Sequence, residues 1–273
     1  MADPFQRYRG LEIAADAPSP DERAEVVYHL VGDLDLTRSS SAADYAAAAH
    51  ATIDGILERG RVPIVAGGTG LYLRAALAEL GFPDEAPREV RQAVENLVAA
   101  DLPGAIDELR RREPATAARI DLRNPRRVSR ALELARVGAP RPLRDRLWTD
   151  TTRHATRIVG VTRPRETLDT LIAQRVRREL EDGLVAEIAA ALDTPGFSRA
   201  AAQIIGVREV LALHAGEIDV SDLPDLLSAR TRKLARAQLT WLRKTPSVDE
   251  LDLGTAPAAE GLPRLLALWE RSG

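Results

Sequence analysis

Residues Arg61 to Ala76 constrain the fold more than any other stretch. Val62 to Ala66 is a short apolar run that ends in Gly67-Gly68-Thr69-Gly70, and helical patterning follows at once. A buried strand turning through glycines into a helix is the unit from which parallel α/β sheets are assembled. The glycines let the backbone turn sharply, and the N–H groups at the start of the next helix face whatever lies beyond. Thr69 adds a hydroxyl at that anion-friendly place. The turn is not a P-loop, since G-x-x-x-x-G-K-[ST] occurs nowhere in residues 1–273. A tight strand–helix turn without a ligand is the alternative reading of the same residues.

The rest of the chain fits an α/β core interrupted by helices. Ala-rich Asp44 to Glu58 predicts a helix, with Ser39, Ser40 and Ser41 as capping candidates. Val62 to Ala66 is expected to be a central parallel strand, and Thr69 to Leu80 the helix after it. Gly81-Phe82-Pro83 breaks that helix, and Arg88 to Val137 is mostly helical with no convincing strand. Arg157 to Val161 returns to strand patterning. Glu166 to Leu192 reads as one long amphipathic helix, with Leu168, Ile172, Val176 and Leu180 at successive i+4 steps. Further helices are expected to the end. This division predicts a core from residues 1–81 and 155–273, with an all-helical insertion at 82–154.

Composition narrows the function. No stretch approaches the roughly 20 apolar residues of a membrane span, and no basic-then-apolar leader opens the chain. The absence of cysteine excludes disulfides, thiolate metal sites and a cysteine nucleophile. A cytoplasmic protein that acts as a monomer and avoids membranes is expected. The net charge of −3 argues against a uniformly basic coat. Yet Arg119 to Arg165 holds thirteen arginines against four acids, and Arg230, Arg232, Lys233, Arg236, Arg243 and Lys244 form a second basic run. Such local surpluses track phosphates, or they form a solvated Arg-rich surface.

Two further constellations stand out. Gln203 to Glu209 combines a polar side chain, a glycine that permits close approach and the pair Arg208–Glu209. It fits a channel wall, or a helix start with a surface ion pair. On a helix, Arg232, Arg236, Thr240 and Arg243 share one face, while Leu234, Ala235, Leu239, Trp241 and Leu242 are available to the core.

Together these segments resemble the tRNA dimethylallyltransferase (IPP transferase) family. The matching stretches are Asp3 to Gly10, Gly67 to Tyr72, Asn124 to Glu133, Gln203 to Glu209 and Ala235 to Arg243, in that order along the chain. The resemblance implies a P-loop-type α/β core with a helical insertion that grips the anticodon stem-loop of tRNA. It implies transfer of a dimethylallyl group from dimethylallyl diphosphate to N6 of the adenosine 3′ to the anticodon, assisted by Mg²⁺. The target base would be flipped out of its stack. Asp3 would accept the N6 proton, with Thr69 and Arg208 as the other catalytic candidates. Contacts to tRNA would come from Asp3, Pro4, Phe5, Gln6, Thr69, Arg126, Arg127, Val128, Ser129, Arg130, Gln203, Gly206, Arg208, Arg236 and Gln238.

The match also has departures. The family's Asp-Ser-Met-Gln stands here as Asp3-Pro4-Phe5-Gln6, its Gly-Thr-Ala-Lys as Ala14-Ala15-Asp16-Ala17, and its Lys-Arg-Gln as Arg236-Ala237-Gln238. The family's first strand and phosphate loop fall ahead of Met1, so the sheet is expected to lack that strand. A polypeptide of residues 1–273 is then expected to transfer no prenyl group. A catalytically inactive tRNA-binding homologue, a small-molecule phosphotransferase and an interaction protein are the alternatives.

Overall fold

The computed structural model describes residues 1–139, 147–194 and 196–270. They form two compact units, Met1–Glu79 with Leu147–Gly273, and Leu80–Arg146. The first unit is α/β. Helix α1 spans Pro20–Glu25, α2 Ala42–Glu58 and α3 Gly70–Leu77. After the helical unit come strand β1 (Ile158–Thr162) and helices α8 (Arg165–Glu181), α9 (Leu184–Leu192), α10 (Val207–His214) and α11 (Leu223–Leu242). Strand β2 (Val248–Asp252) and α12 (Leu262–Glu270) follow.

Helix α2 starts where its sequence asks. The Ser41 hydroxyl accepts the Asp44 N–H at 3.1 Å while the Asp44 carboxylate accepts the Ser41 N–H at 2.8 Å, satisfying two donors that the first turn leaves open. The expected long helix at 166–192 is two helices. Gly183 sits at φ +99°, a left-handed conformation that ends α8, and α9 turns its Leu184 and Ile188 into the core. The i+4 stripe itself holds, with Ile172 and Val176 buried and Leu168 and Leu180 packed against the same cluster. That cluster also takes in Tyr8, Leu11, Ile204, Val207, Leu223 and Leu227.

The sheet differs most from expectation. Strand β1 pairs in parallel with β2, in register from Ile158 opposite Val248 to Thr162 opposite Asp252. Only helices were expected in that part of the chain. Val-Asp-Glu-Leu-Asp is too acidic to signal a strand, and its pairing with β1 outweighs that composition. Conversely, Val62 to Ala66 is extended but forms no strand. Among the described residues its one backbone rung runs from the Ala2 N–H to the Ala66 carbonyl at 2.7 Å. A strand is defined by its ladder, and without one Val62 is 59% and Ile64 88% exposed. Helix α3 is also shorter than the predicted Thr69–Leu80, ending at Leu77.

The second unit is all-helical, with α4 (Arg88–Ala100), α5 (Leu102–Arg112), α6 (Pro114–Ala117) and α7 (Pro125–Arg136). Its aliphatic core joins Val94, Val98, Ala105, Leu109, Val128, Ala131 and Leu132. Asn124 caps α7, accepting the N–H groups of Arg126 and Arg127, and Pro125 fills the position where a missing N–H costs nothing.

Candidate functional site

Three segments far apart in sequence meet at the glycine turn. Gly67 has φ +159°, and a Cβ there would lie 2.4 Å from the Ala2 carbonyl oxygen. A Cβ on Gly68 would lie 2.2 Å from Gln238 Nε2, and one on Gly70 2.3 Å from Trp241 Cε3. Each glycine therefore admits a different neighbour: the backbone just before Asp3, the amide of Gln238, and the indole of Trp241. Thr69, between them, occupies the N-cap position of α3 without making a side-chain cap bond, which leaves its hydroxyl available.

Asp3 is held beside this turn by the Ala2–Ala66 rung. Its carboxylate accepts the Phe5 N–H at 2.8 Å. Burial pushes its pKa above the usual carboxylate range, and the N–H groups of Phe5 and Gln6 and the positive charge of Arg175 oppose that shift without cancelling it. A carboxylate so placed holds a proton more readily than one in water. Arg175 is itself paired with Asp16 at 2.8 Å and Glu179 at 2.6 Å. The Gln6 amide donates to the Asp16 carbonyl at 2.7 Å, and its Oε1 is buried without a partner. Phe5 packs against the apolar core, so it serves the fold at this point, with half-buried Pro4 before it.

Around Asp3 lies a layer the sequence reading missed. Arg7 grips Asp33 through Nη2 at 2.6 Å and Nε at 3.1 Å and donates to Ser40 at 2.8 Å. Its guanidinium stands 6.0 Å from the Tyr45 ring centroid, and the Tyr45 and Tyr72 rings are 4.5 Å apart. Burial raises both phenols, Tyr72 to about 12. The alternation of charge and aromatic residues from Arg7 to Tyr8, with Tyr45 and Tyr72 on two helices, was the only trace in sequence.

The Gln203 to Glu209 segment is built around a buried ion pair. Gly206 takes φ +105°, and its N–H donates to Glu209 Oε2 at 3.1 Å. Arg230 donates to the Glu209 carboxylate at 2.7 Å and 3.0 Å and to the Gln203 carbonyl at 3.4 Å. Glu209 is therefore a structural partner of Arg230, and Arg208 points outward, its side chain 78% exposed and 3.6 Å from Glu209. Gln203 is exposed and Gly206 buried. Helix α11 serves both sites. Arg230 fixes this segment, and Gln238 and Trp241 press on the glycine turn about 12 Å further along the axis. Leu242 packs over Gly160 of β1, seating the same helix on the sheet. On its outer side Arg236, Thr240 and Arg243 are exposed, as is Leu234, which was expected in the core.

The helical unit divides its α7 residues cleanly. Arg126 and Arg127 are exposed. Val128 is fully buried and Ser129 is 6% exposed. These two were expected at a nucleic-acid surface, but the helix turns them into the core and they cannot touch a partner there. Arg130 is also engaged, donating to the Pro83 and Asp84 carbonyls and to Glu133. Arg141, Arg144 and Arg146 of the Arg-rich stretch lie outside the described residues.

Among the described residues no group of three His, Asp or Glu side chains could hold a metal ion. The described carboxylates near the turn do not fit a protein-built Mg²⁺ site. No described helix is long and apolar enough to cross a membrane.

A family model for IPP transferase matches residues 6–245. The tRNA dimethylallyltransferase of Salinispora tropica is 39% identical over 265 residues, covering 96% of this chain and 82% of its own length. That of Streptomyces avermitilis is 38% identical over 274 residues, covering 99% and 86%. Among solved structures, the full-length tRNA isopentenylpyrophosphate transferase of Bacillus halodurans superposes with a TM-score of 0.71 at 28% identity, over 98% of this chain and 86% of that one. A eukaryotic dimethylallyltransferase acting on tRNA gives 0.74 over 94% of this chain and 67% of its own, at 21% identity, a likeness of fold alone.

Proposed function

The chain belongs to the IPP transferase family, and on that premise we propose that it serves transfer of a dimethylallyl group from dimethylallyl diphosphate to N6 of the adenosine 3′ to the anticodon. The N6 lone pair attacks C1 of the dimethylallyl group while the C1–O bond breaks and its electron pair leaves with diphosphate. The N6 proton passes to Asp3. An exocyclic amine gains positive charge as it attacks, and an ionised carboxylate whose hold on a proton burial has strengthened relieves that charge. The observation that carries this reading is the raised, half-buried Asp3 carboxylate latched through Ala2 to the Gly67–Thr69 turn. Thr69 lends its uncapped hydroxyl to the same place, and Arg208, exposed, is free to meet the incoming base or backbone.

The helical unit, taken as residues 82–154, grips the anticodon stem through Arg126 and Arg127. The basic outer side of α11 adds Arg236 and Arg243. Gln238 holds the glycine turn from behind, while Gln6, Gln203 and Gly206 shape the walls around it. The protein works as a cytoplasmic monomer on free tRNA.

A second reading is a homologue that binds tRNA without transfer, favoured by Ala14-Ala15-Asp16-Ala17 standing where the family has Gly-Thr-Ala-Lys, without that hydroxyl and cation. The two separate on one protein preparation. Both predict binding of an anticodon hairpin that weakens steeply with salt, because phosphate contacts release counterions. Only the first predicts binding of dimethylallyl diphosphate once a family strand and phosphate loop precede Ala2, read by equilibrium dialysis. Salt-independent or absent hairpin binding contradicts both.

A further inference from the structure

We propose that Trp148, backed by Trp241 and flanked by Lys244, is a stacking platform for an unpaired base of the RNA loop; this rests on the tRNA reading above. Trp148 is 37% exposed. Its ring centroid lies 4.8 Å from that of Trp241, the planes tilted by 37°. Trp241 in turn presses on Gly70, one residue past Thr69. The two indoles thus form a continuous aromatic floor from the glycine turn to the surface, supported at its inner end by backbone that has no room to yield.

The charge around this floor suits a nucleotide. The Lys244 ammonium stands 5.7 Å from the Trp148 centroid, and Arg243 beside it is exposed. An exposed cation–π contact is worth roughly 2- to 5-fold in an equilibrium, whereas a base stacked on an aromatic side chain is worth roughly 5- to 150-fold. A base therefore displaces Lys244 from the ring. The freed ammonium then has the phosphate of that same nucleotide to pair with, so little of its interaction is lost. A peptide partner would bring apolar side chains to the indole but no anion for Lys244 and Arg243. Single-stranded RNA brings both a π-face and a phosphate, and sequence-tolerant stacking of this kind is how unpaired loops are held.

The test uses the whole chain and two RNA hairpins with the same stem, one with a normal unpaired loop and one whose loop is abasic. Affinity is read by fluorescence anisotropy for the unsubstituted chain, Trp148→Leu and Trp148→Phe, with circular dichroism melts to establish that each variant folds. Trp148→Leu should bind the normal loop roughly 10-fold more weakly and the abasic loop as well as the unsubstituted chain does. Trp148→Phe, which keeps a π-face, should recover most of the loss. Equal affinity of Trp148→Leu and the unsubstituted chain for the normal loop overturns the platform and leaves the tRNA reading standing. Equal losses on both hairpins also overturn it, because the indole then acts through the fold. Failure of the unsubstituted chain to bind either hairpin overturns both.

Discussion

The two units spend their arginines in opposite ways. In the α/β unit Arg7 and Arg74 are buried, and Arg230 reaches inward to a Glu209 only 3% exposed. In the helical unit an aliphatic cluster of Val94, Leu109, Val128 and Leu132 fills the core, and Arg126 and Arg127 stand in solvent. The same residue type is a strut at Arg7 and Arg230 and a surface charge at Arg126 and Arg127. A buried guanidinium costs its desolvation and recovers it only through well-placed partners, as Arg7 does with Asp33 and Ser40. An exposed one costs little and stays available to a polyanion. Substituting Arg7 or Arg230 should therefore damage the fold, and substituting Arg126 and Arg127 should lower the affinity for RNA.

The largest effect that tests this contrast is at Arg230. Arg230→Ala leaves the buried Glu209 carboxylate with the Gly206 N–H and the more distant, exposed Arg208, and should cost about 3–5 kcal/mol of stability, seen in urea melts. A loss within the range of surface substitutions would mean that α11 rearranges freely and the contrast is false. Next comes the pair Arg126→Ala and Arg127→Ala. The double variant should keep its melting temperature, bind an anticodon hairpin more weakly, and show a salt slope shallower by about 2. Arg130→Ala sharpens the point, because its bonds to the Pro83 and Asp84 carbonyls predict a lowered Tm with the salt slope retained. A reversed pattern would assign the surface role to Arg130.

The smallest effect concerns pH. Hydrogen bonds from Arg153 and His154 hold Asp54 at about 2, below its ordinary 3.8. A carboxylate lowered in the folded state stabilises above its unfolded pKa and loses that contribution as pH falls through the folded value. The step should lie between about pH 4 and 2, and it should flatten in Arg153→Gln. Since Asp54 is exposed, the step should be slight and should shrink in salt. A large, salt-insensitive loss would show that this cluster is buried in solution.

Sequence alone carried some of this well. The Ser41 cap, the Ile172–Val176 stripe and the glycine turn are local patterns, and local physics decides them. What it missed depends on distant partners. Strand β2 exists because β1 lies beside it, and Val62–Ala66 fails as a strand because one rung from Ala2 is all the ladder it has among the described residues. Val128 and Ser129 looked like surface because they sit among arginines, yet the period of α7 turns them inward. For the site, the Asp3 and Gly67–Gly70 motifs were visible one at a time. Their meeting with Gln238 and Trp241 was not, since nothing in a linear pattern says which helix lies against a glycine. Trp148 escaped for the same reason.

Asp3 is the group proposed to take the N6 proton. The direct measurement is single-turnover transfer to an anticodon hairpin, followed by mass spectrometry of the loop fragment, in an enzyme carrying a family strand and phosphate loop ahead of Ala2. Asp3→Ala should lower the transfer rate by about 100-fold or more while hairpin affinity changes little, because the carboxylate acts mainly in the transition state. The rate of the unsubstituted enzyme should rise with pH through a value above that of an ordinary aspartate, as burial of Asp3 requires. A variant that keeps a near-normal rate, or loses RNA affinity in step with rate, would make Asp3 a turn residue and contradict the mechanism.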